Sequence, residues 1–554
     1  MTASLAYLQS TRDVEVKAAN PDPGIALTAV PEPVSYSLQI PAAFEGYRIV
    51  AERFAATSDP ELIPTSQPGD LSLTWVASGA SPQYEFGAEQ LVISVPFTTP
   101  VFNLTAADFE RVLRGEVSNW SEVGGGDYAI ALDLAAGESA GGLGFPTEVV
   151  ESGSTDAARF EIYEGLSTSR RALRVDGTAP GRPEYPYNVS RALVVNNAEA
   201  APLAVGLVEA LRVATEPEPS VTIAAVGDLM LANVVATNMQ NLGVDQPFEL
   251  VSPYLQQADI TFGNLEGTLT DRGVARPKNY RFRTPPSLAG GLLNAGFDII
   301  SVANNHTMDY GPDGLTDTLG TLDYLGIPRV GAGLNEAEAR APVILEVNGL
   351  RIGFLAYVNV GQEVKSDYVN EIAAAGENSP GVAWARPENV SADVAALNPQ
   401  VDLVVVSMHI GIENSFSIRE WQTETAFAAI DAGAELVLGH HAHVLQRLET
   451  YGEGVIIWGL GNFIFDLSRP GNKTLTAIAY FELTRDGVTG YDFLPAEINV
   501  VEHRPRPILD ASGLRLVTHL LGFTELPREE EPLDSSVDVN SETPTVEPTA
   551  TATP

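Results

Sequence analysis

The sequence predicts an α/β protein of two domains, the second organised around a metal site, with an unfolded tail behind it. Three observations predict this. Apolar runs of strand length, each ending in a polar residue able to bind a metal, recur five times between residues 221 and 467. Five of the seven histidines stand at such ends, three of them within Gly439-His440-His441-Ala442-His443. A Glu/Pro stretch, Thr215-Glu-Pro-Glu-Pro-Ser220, separates this half from an N-terminal region with strand and helix signals of its own.

Composition narrows the chemistry. A chain of 554 residues exceeds one core, and about two to four domains is the expectation for that length. Cysteine is absent, so disulfides, thiolate ligands and a cysteine nucleophile are all excluded and a metal must be held by His, Asp, Glu and Asn. The formal charge of −40 argues against nucleic acid as a partner, because phosphate binding needs basic patches. An anionic substrate would instead need local cations, and Arg276, Lys278, Arg281 and Arg283 form a basic cluster. No apolar run is long enough to span a membrane, and Met1 to Val16 lacks a basic-then-apolar signal pattern.

In chain order, residues 1–45 are Pro- and Ala-rich and read as an irregular lead-in. Residues 46–215 form the first domain, with strands at Leu71–Val76 and Gln90–Val95. A short helix opens at Thr105-Ala-Ala-Asp108, a capping-box-like start, and stops at Gly115. Residues 216–220 are the linker. The second domain, 221–524, opens with Val221–Val226, a continuous apolar strand of the kind a sheet covered on both faces requires, running into Gly227-Asp228. A second strand runs into Asn264-Leu-Glu266. A helix over 287–295 leads to a third strand, which ends in Asn304-Asn305-His306, and a helix follows over 311–325. Asn348-Gly349 predicts a hairpin turn. Strands then run into His409 and into the histidine cluster, with a helix over 420–432 between them. Residues 525–554 are acidic and then Pro/Thr-rich, and bury too little apolar surface to fold.

Open α/β sheets place their sites at the carboxyl ends of strands. Asp228, Glu266, Asn305, His409, His441 and His443 are therefore the candidate metal ligands, with Glu266 the candidate bridge between two cations. His441 and His443, two apart on a strand end, would point the same way. His306, beside a candidate ligand, could serve as a general acid.

Two family resemblances add to this. Asn103-Leu-Thr-Ala-Ala-Asp108, with Gly115 and Asn119-Trp120 after it, resembles the inter-lobe segment of phosphate-type periplasmic solute-binding proteins. Arg174-Val-Asp-Gly177 and Tyr185-Pro-Tyr187 resemble the end of such domains. The resemblance spans roughly 60–215 and implies a partial α/β domain of that type, with phosphate as a candidate ligand held by Ser78–Ser81 and Ser152–Thr155. Gly227-Asp228, Asn264-Leu-Glu-Gly267, Phe282-Arg283, Asn304-Asn-His306 with Asp309, His409, Gly439–His443 and Gly461-Asn-Phe463 resemble, in order, the CapA family of poly-γ-glutamate capsule synthesis proteins, whose fold is similar to calcineurin-like metallophosphatases. That resemblance implies a four-layer αββα domain. It implies Asp228, Asn305, His409, His441 and His443 as ligands, Glu266 in the bridging position and His306 as general acid. His440 is an extra residue without an assigned role. Met230 stands where the metallophosphatase motif has a histidine. A thioether is a poor ligand for such cations, so one metal, or two of unequal affinity, is expected.

The function expected is that of a metal-dependent hydrolase (Mn, Zn or Fe) in capsule or envelope polymer production. It would act on an anionic phosphoester or γ-glutamyl substrate whose charge Arg281 and Arg283 meet. The resemblance and the Pro/Thr tail point outside the cytoplasm, to the cell surface. The competing readings are a non-catalytic phosphate- or polyanion-binding scaffold and a surface protein whose metal only stabilises the fold.

Overall fold

The computed structural model describes residues 35–41, 47–58, 60–77, 84–130, 132–134, 158–163, 165–214, 218–360 and 373–526. The serine-rich turns at 78–81 and 152–155, the Pro/Thr tail and the lead-in up to residue 34 lie outside them.

Regular structure starts earlier than the composition suggests. Ser35–Gln39 is a strand, inside the stretch read as an irregular lead-in. Tyr36, Leu38 and Ile40 alternate into a core while the residues between them face out. The prolines on either side obscure this short period-two signal. The strand pairs in parallel with Glu61–Thr65 and with Leu71–Ala77. The sheet continues through Asn188–Val195 and Glu85–Pro96 to Ala158–Ile162 and Leu132–Leu134. Helices Arg48–Ala55 and Ala201–Ala214 bury Ala51, Leu203, Ala204, Leu207 and Leu211 against one end of it.

The two stretches behind the solute-binding-protein resemblance meet in space, since Asn103–Leu104 pairs in parallel with Arg174–Val175. Thr105 caps the helix Ala106–Leu113, accepting from the Asp108 N–H. Asn119 caps a single turn that buries Trp120.

The second domain is a pair of facing sheets between helices. One sheet runs Arg329–Val330, Ile299–Ser301, Ile260–Leu265, Val221–Leu229, Leu475–Thr484, Gly487–Asn499, Arg504–Pro507, and Asn462–Ile464 also pairs with Val221–Leu229. The other runs Val343–Val347, Leu350–Asn359, Leu403–Ile410, Leu436–His440, Gly454–Leu460, Leu445–Tyr451. Strand periodicity divides the side chains of the second sheet cleanly. Leu403 and Val405 face the first sheet, while Val404 and Val406 pack on the helices Pro387–Leu397 and Glu420–Asp431. Phe262 and Phe354 stack across the gap between the sheets, centroids 6.1 Å apart. Helices Asn233–Leu242 and Gly311–Leu325 cover the outer face of the first sheet. This is the four-layer αββα arrangement expected. No helix among the described residues is long and apolar enough to cross a membrane.

The two domains share an interface. Phe97 stacks on Tyr491, and the Tyr491 hydroxyl donates to the Thr168 carbonyl at 3.1 Å. Arg174 donates to Gln257 at 2.6 Å, and the Leu166 N–H donates to Glu482. A cavity of about 730 Å³ lies between them, lined by Arg174, Arg182 and Arg191 on one side and Tyr480, Glu482 and Asp492 on the other.

Candidate metal centre

Register brings the polar strand ends together. In the first sheet Asp228 pairs with both Asn264 and Asn462, and in the second His409 pairs with Val358 and with His440. Two glycines allow the close approach that this needs. A Cβ at Gly227 would lie 2.2 Å from the Gly461 carbonyl oxygen, and one at Gly439 would lie 2.0 Å from that of Trp458.

The histidine cluster departs from the strand expectation. The strand ends at His440, and His441 and His443 take left-handed backbone, at φ 83° and 56°. Their rings, 6.0 Å apart between centroids, are aimed by a strained turn and not by the pleat. Such strain persists where the surroundings hold it, and it clusters at functional sites.

The candidate ligands converge. Asp228 accepts from Asn264 at 2.8 Å and from the His441 N–H at 3.3 Å, and the Nδ1 atoms of His440 and His443 lie 3.4 Å from its two oxygens. His409 Nε2 lies 3.0 Å from Asn305 Oδ1 and 3.2 Å from His441 Nδ1. Glu266 Oε1 lies 3.5 Å from His306 Nε2 and 3.8 Å from His443 Nε2. The other ring nitrogen of His306 is 2.8 Å from Asp309 Oδ2, and Lys278 bridges to Asp309 at 3.0 Å and to the Asn305 carbonyl at 2.9 Å. Phe282 covers the His306 ring at 4.2 Å between centroids.

Burial and mutual charge set the protonation. Burial pushes the Glu266 carboxyl well above the usual carboxylate range, and the Asp228 charge adds to this. Burial acts the same way on Asp228, but contacts with His440 and His443 outweigh it and hold that carboxyl well below its ordinary value. His409 falls well below the usual histidine range through burial and the neighbouring His441, and His441 is pushed down to about 3 by burial and His443. His443 goes the other way. Burial alone would lower it, but Glu266, Asp228 and Glu413 raise it to about 9.

The donor set fits a divalent cation. Both oxygens of Glu266 are buried without a hydrogen-bond partner, which is costly for a carboxyl group unless something else satisfies it. Asp228, Glu266 and His443 offer ligand atoms all within 4.8 Å of one another, and so do Glu413, His441 and His443. Asn305 and His409 adjoin them. The cluster is therefore a candidate metal site of buried His, Asp and Glu.

Other residues depart from or extend the expectations. Met230 is fully buried, its sulfur 3.2 Å from the Ala232 N–H and its side chain among Ala232 and Phe282. Arg281 and Arg283 are exposed. Arg281 donates to the Arg276 carbonyl, Arg283 lies over the Tyr310 ring, and neither pairs with the cluster among the described residues. Of the basic run it is Lys278 that turns inward. Asp309, Asn264 and Asn462 stand in the motif stretches, but their residue types and spacing assign them no task. Glu413 had no signal beyond following His409 by four residues. His440, the extra histidine, lies in the site against Asp228, with neither ring nitrogen in a hydrogen bond.

Comparison with known proteins follows the second domain. The model of the bacterial capsule synthesis protein family PGA_cap matches residues 222–467. The chain is 31% identical to PGA biosynthesis protein CapA of Bacillus subtilis (strain 168) over 311 residues, 55% of this chain and 78% of that one. It is 32% identical to capsule biosynthesis protein CapA of Bacillus anthracis, over 52% of this chain and 70% of that one. Among solved structures, an ABC-type phosphate transport receptor from Vibrio cholerae matches 32% of this chain and 94% of its own, at 17% identity and a TM-score of 0.26.

Proposed function

The chain belongs to the bacterial capsule synthesis protein family PGA_cap, and on that premise we propose that it serves production of a poly-γ-glutamate-type capsule or envelope polymer as a metal-dependent hydrolase. Its substrate is an anionic phosphoester or a γ-glutamyl bond, met outside the cytoplasm. The observation that carries this reading is a buried Glu266 with two unpartnered oxygens, set beside a histidine whose far nitrogen is already fixed by Asp309.

Asp228, Glu266, Asn305, His409, His441 and His443 would hold the cation or cations. A bound divalent cation supplies Lewis acidity and a water of lowered pKa. The chain's own residues do the rest. Asp309 accepts at His306 Nδ1, which fixes the ring so that Nε2 faces Glu266 and the cluster. Burial lowers the His306 pKa and Asp309 opposes this, so Nε2 must first take up a proton, as the imidazolium, before it delivers one to a leaving group. Phe282 shields one face of the ring from water. Arg281 and Arg283, exposed on the adjoining segment, meet the substrate's negative charge.

Met230 favours a second reading, a polyanion-binding protein without turnover, because its sulfur accepts the Ala232 N–H and one position lacks an imidazole. One experiment separates the two. Full-length protein prepared without chelator is analysed for metal, and p-nitrophenyl phosphate and γ-glutamyl p-nitroanilide are tried as substrates. The hydrolase reading expects bound metal that is lost in Asp228→Ala and His441→Ala. It also expects hydrolysis that falls at least about 100-fold in His306→Ala with metal retained. Bound metal with no turnover of either ester or amide supports the binding reading. Folded protein that takes up neither Mn nor Zn overturns both.

A further inference from the structure

We propose that Glu413 is a cation ligand of this centre, supplying from a neighbouring loop a donor in place of the imidazole that Met230 lacks. This rests on the metal-site reading above and extends it to a residue outside the expected ligand set.

The ligand atoms of Glu413, His441 and His443 lie within 4.8 Å of one another, and His443 also belongs to the group formed with Asp228 and Glu266. Glu413 is exposed, on the solvent side of two buried histidines. It makes no hydrogen bond or ion pair among the described residues, so its carboxylate is available.

The loop that carries it is held in place. Gly411 turns the chain out of the His409 strand at φ 128°, a backbone conformation that residues with a Cβ rarely adopt. One residue beyond Glu413, Asn414 takes left-handed backbone, and its N–H donates to the Ala442 carbonyl at 2.8 Å. Gln446 then donates to the Ser415 carbonyl at 2.7 Å. The bond to Ala442 ties the loop to the residue between His441 and His443, which holds Glu413 beside both rings.

The chemistry follows from the exchange. Replacing an imidazole by a carboxylate makes the donor set richer in oxygen, and oxygen donors suit harder cations such as Mn²⁺ relative to Zn²⁺. Glu413 also adds a negative charge beside His443, which a cation neutralises.

The test is metal binding by the full chain, free of activity measurements. Mn²⁺ is titrated into metal-free protein and followed by electron paramagnetic resonance of the free ion, with Zn²⁺ in parallel by calorimetry. Wild type, Glu413→Gln, Glu413→Asp and Glu420→Gln are compared, the last as a control for loss of a surface charge. The expected result is that Glu413→Gln weakens Mn²⁺ binding roughly 10- to 100-fold or removes one equivalent, weakens Zn²⁺ less, and leaves the melting temperature of the metal-free protein unchanged. Glu413→Asp retains part of the affinity, and Glu420→Gln retains all of it. Wild-type binding with Glu413→Gln equal to wild type overturns the proposal and leaves the metal-site reading intact. No binding by wild type overturns both.

Discussion

Lys278 places an ammonium group where it touches Asp309, the Asn305 carbonyl and the edge of His306, all out of water. A buried charge of this kind is tolerable only while its partner remains. Lys278→Met should therefore cost about 3–5 kcal/mol in denaturant unfolding, because it strands the Asp309 carboxylate. Adding Asp309→Asn should recover part of that loss, and additive losses would show that the pair is not coupled. This corner was only half legible in the sequence. The basic run from Arg276 to Arg283 was visible, but an irregular segment has no periodicity to tell which of four cations turns inward. The same limit applies to Glu413, which a loop brings to the histidines, and to His440, whose place against Asp228 depends on how the two sheets face each other.

Elements were the most legible level, wherever local chemistry dictates them. The apolar runs into Asp228, His409 and His440 are strands. Asn348 and Gly349 both take positive φ, 51° and 77°, as a two-residue hairpin turn demands. The helix expected over 287–295 instead breaks into a 3₁₀ turn at Pro286–Leu288 and a short helix at Gly290–Ala295, since its first residues follow Pro285 and Pro286. Asn233–Leu242 gave no start signal because Ala232, with no side-chain acceptor, stands at its N-cap. Glycines distinguish positions where space is decisive. Gly439→Ala would drive a Cβ into the Trp458 carbonyl, and should cost about 3 kcal/mol and blunt metal uptake by shifting the adjoining histidines. Gly320→Ala, in the exposed middle of the Gly311–Leu325 helix with open space around it, should stabilise by up to about 1 kcal/mol. Thermal melts of the two variants moving in the same direction would contradict this reading of the backbone contacts.

At the scale of the molecule the sequence did not tell how its two halves meet, since the contacts pair residues from 83 to more than 300 positions apart. The interface draws ionisable groups into the cavity between the domains. Asp492 is buried there with one oxygen unpartnered. Burial raises its carboxyl above the usual range, and the nearby Arg171 and Arg174 offset this only in part. Glu482, which accepts the Leu166 N–H across the interface, is raised for the same reason. A carboxyl group whose pKa is higher folded than unfolded favours the native state in its protonated form. That contribution is complete below the unfolded value, near about pH 4, and is lost as pH rises through the folded value. Asp492→Asn, which keeps the shape and cannot ionise, removes this dependence at one position. Melting temperatures measured between about pH 4 and pH 7 should therefore show wild type losing ground to the variant steadily as pH rises, whatever the offset between them at the acid end. Glu482→Gln should do the same, and the double variant should show the shallowest profile. Parallel profiles for wild type and Asp492→Asn would mean that the carboxylate meets water or a compensating cation at the interface, and that burial there does not govern its ionisation.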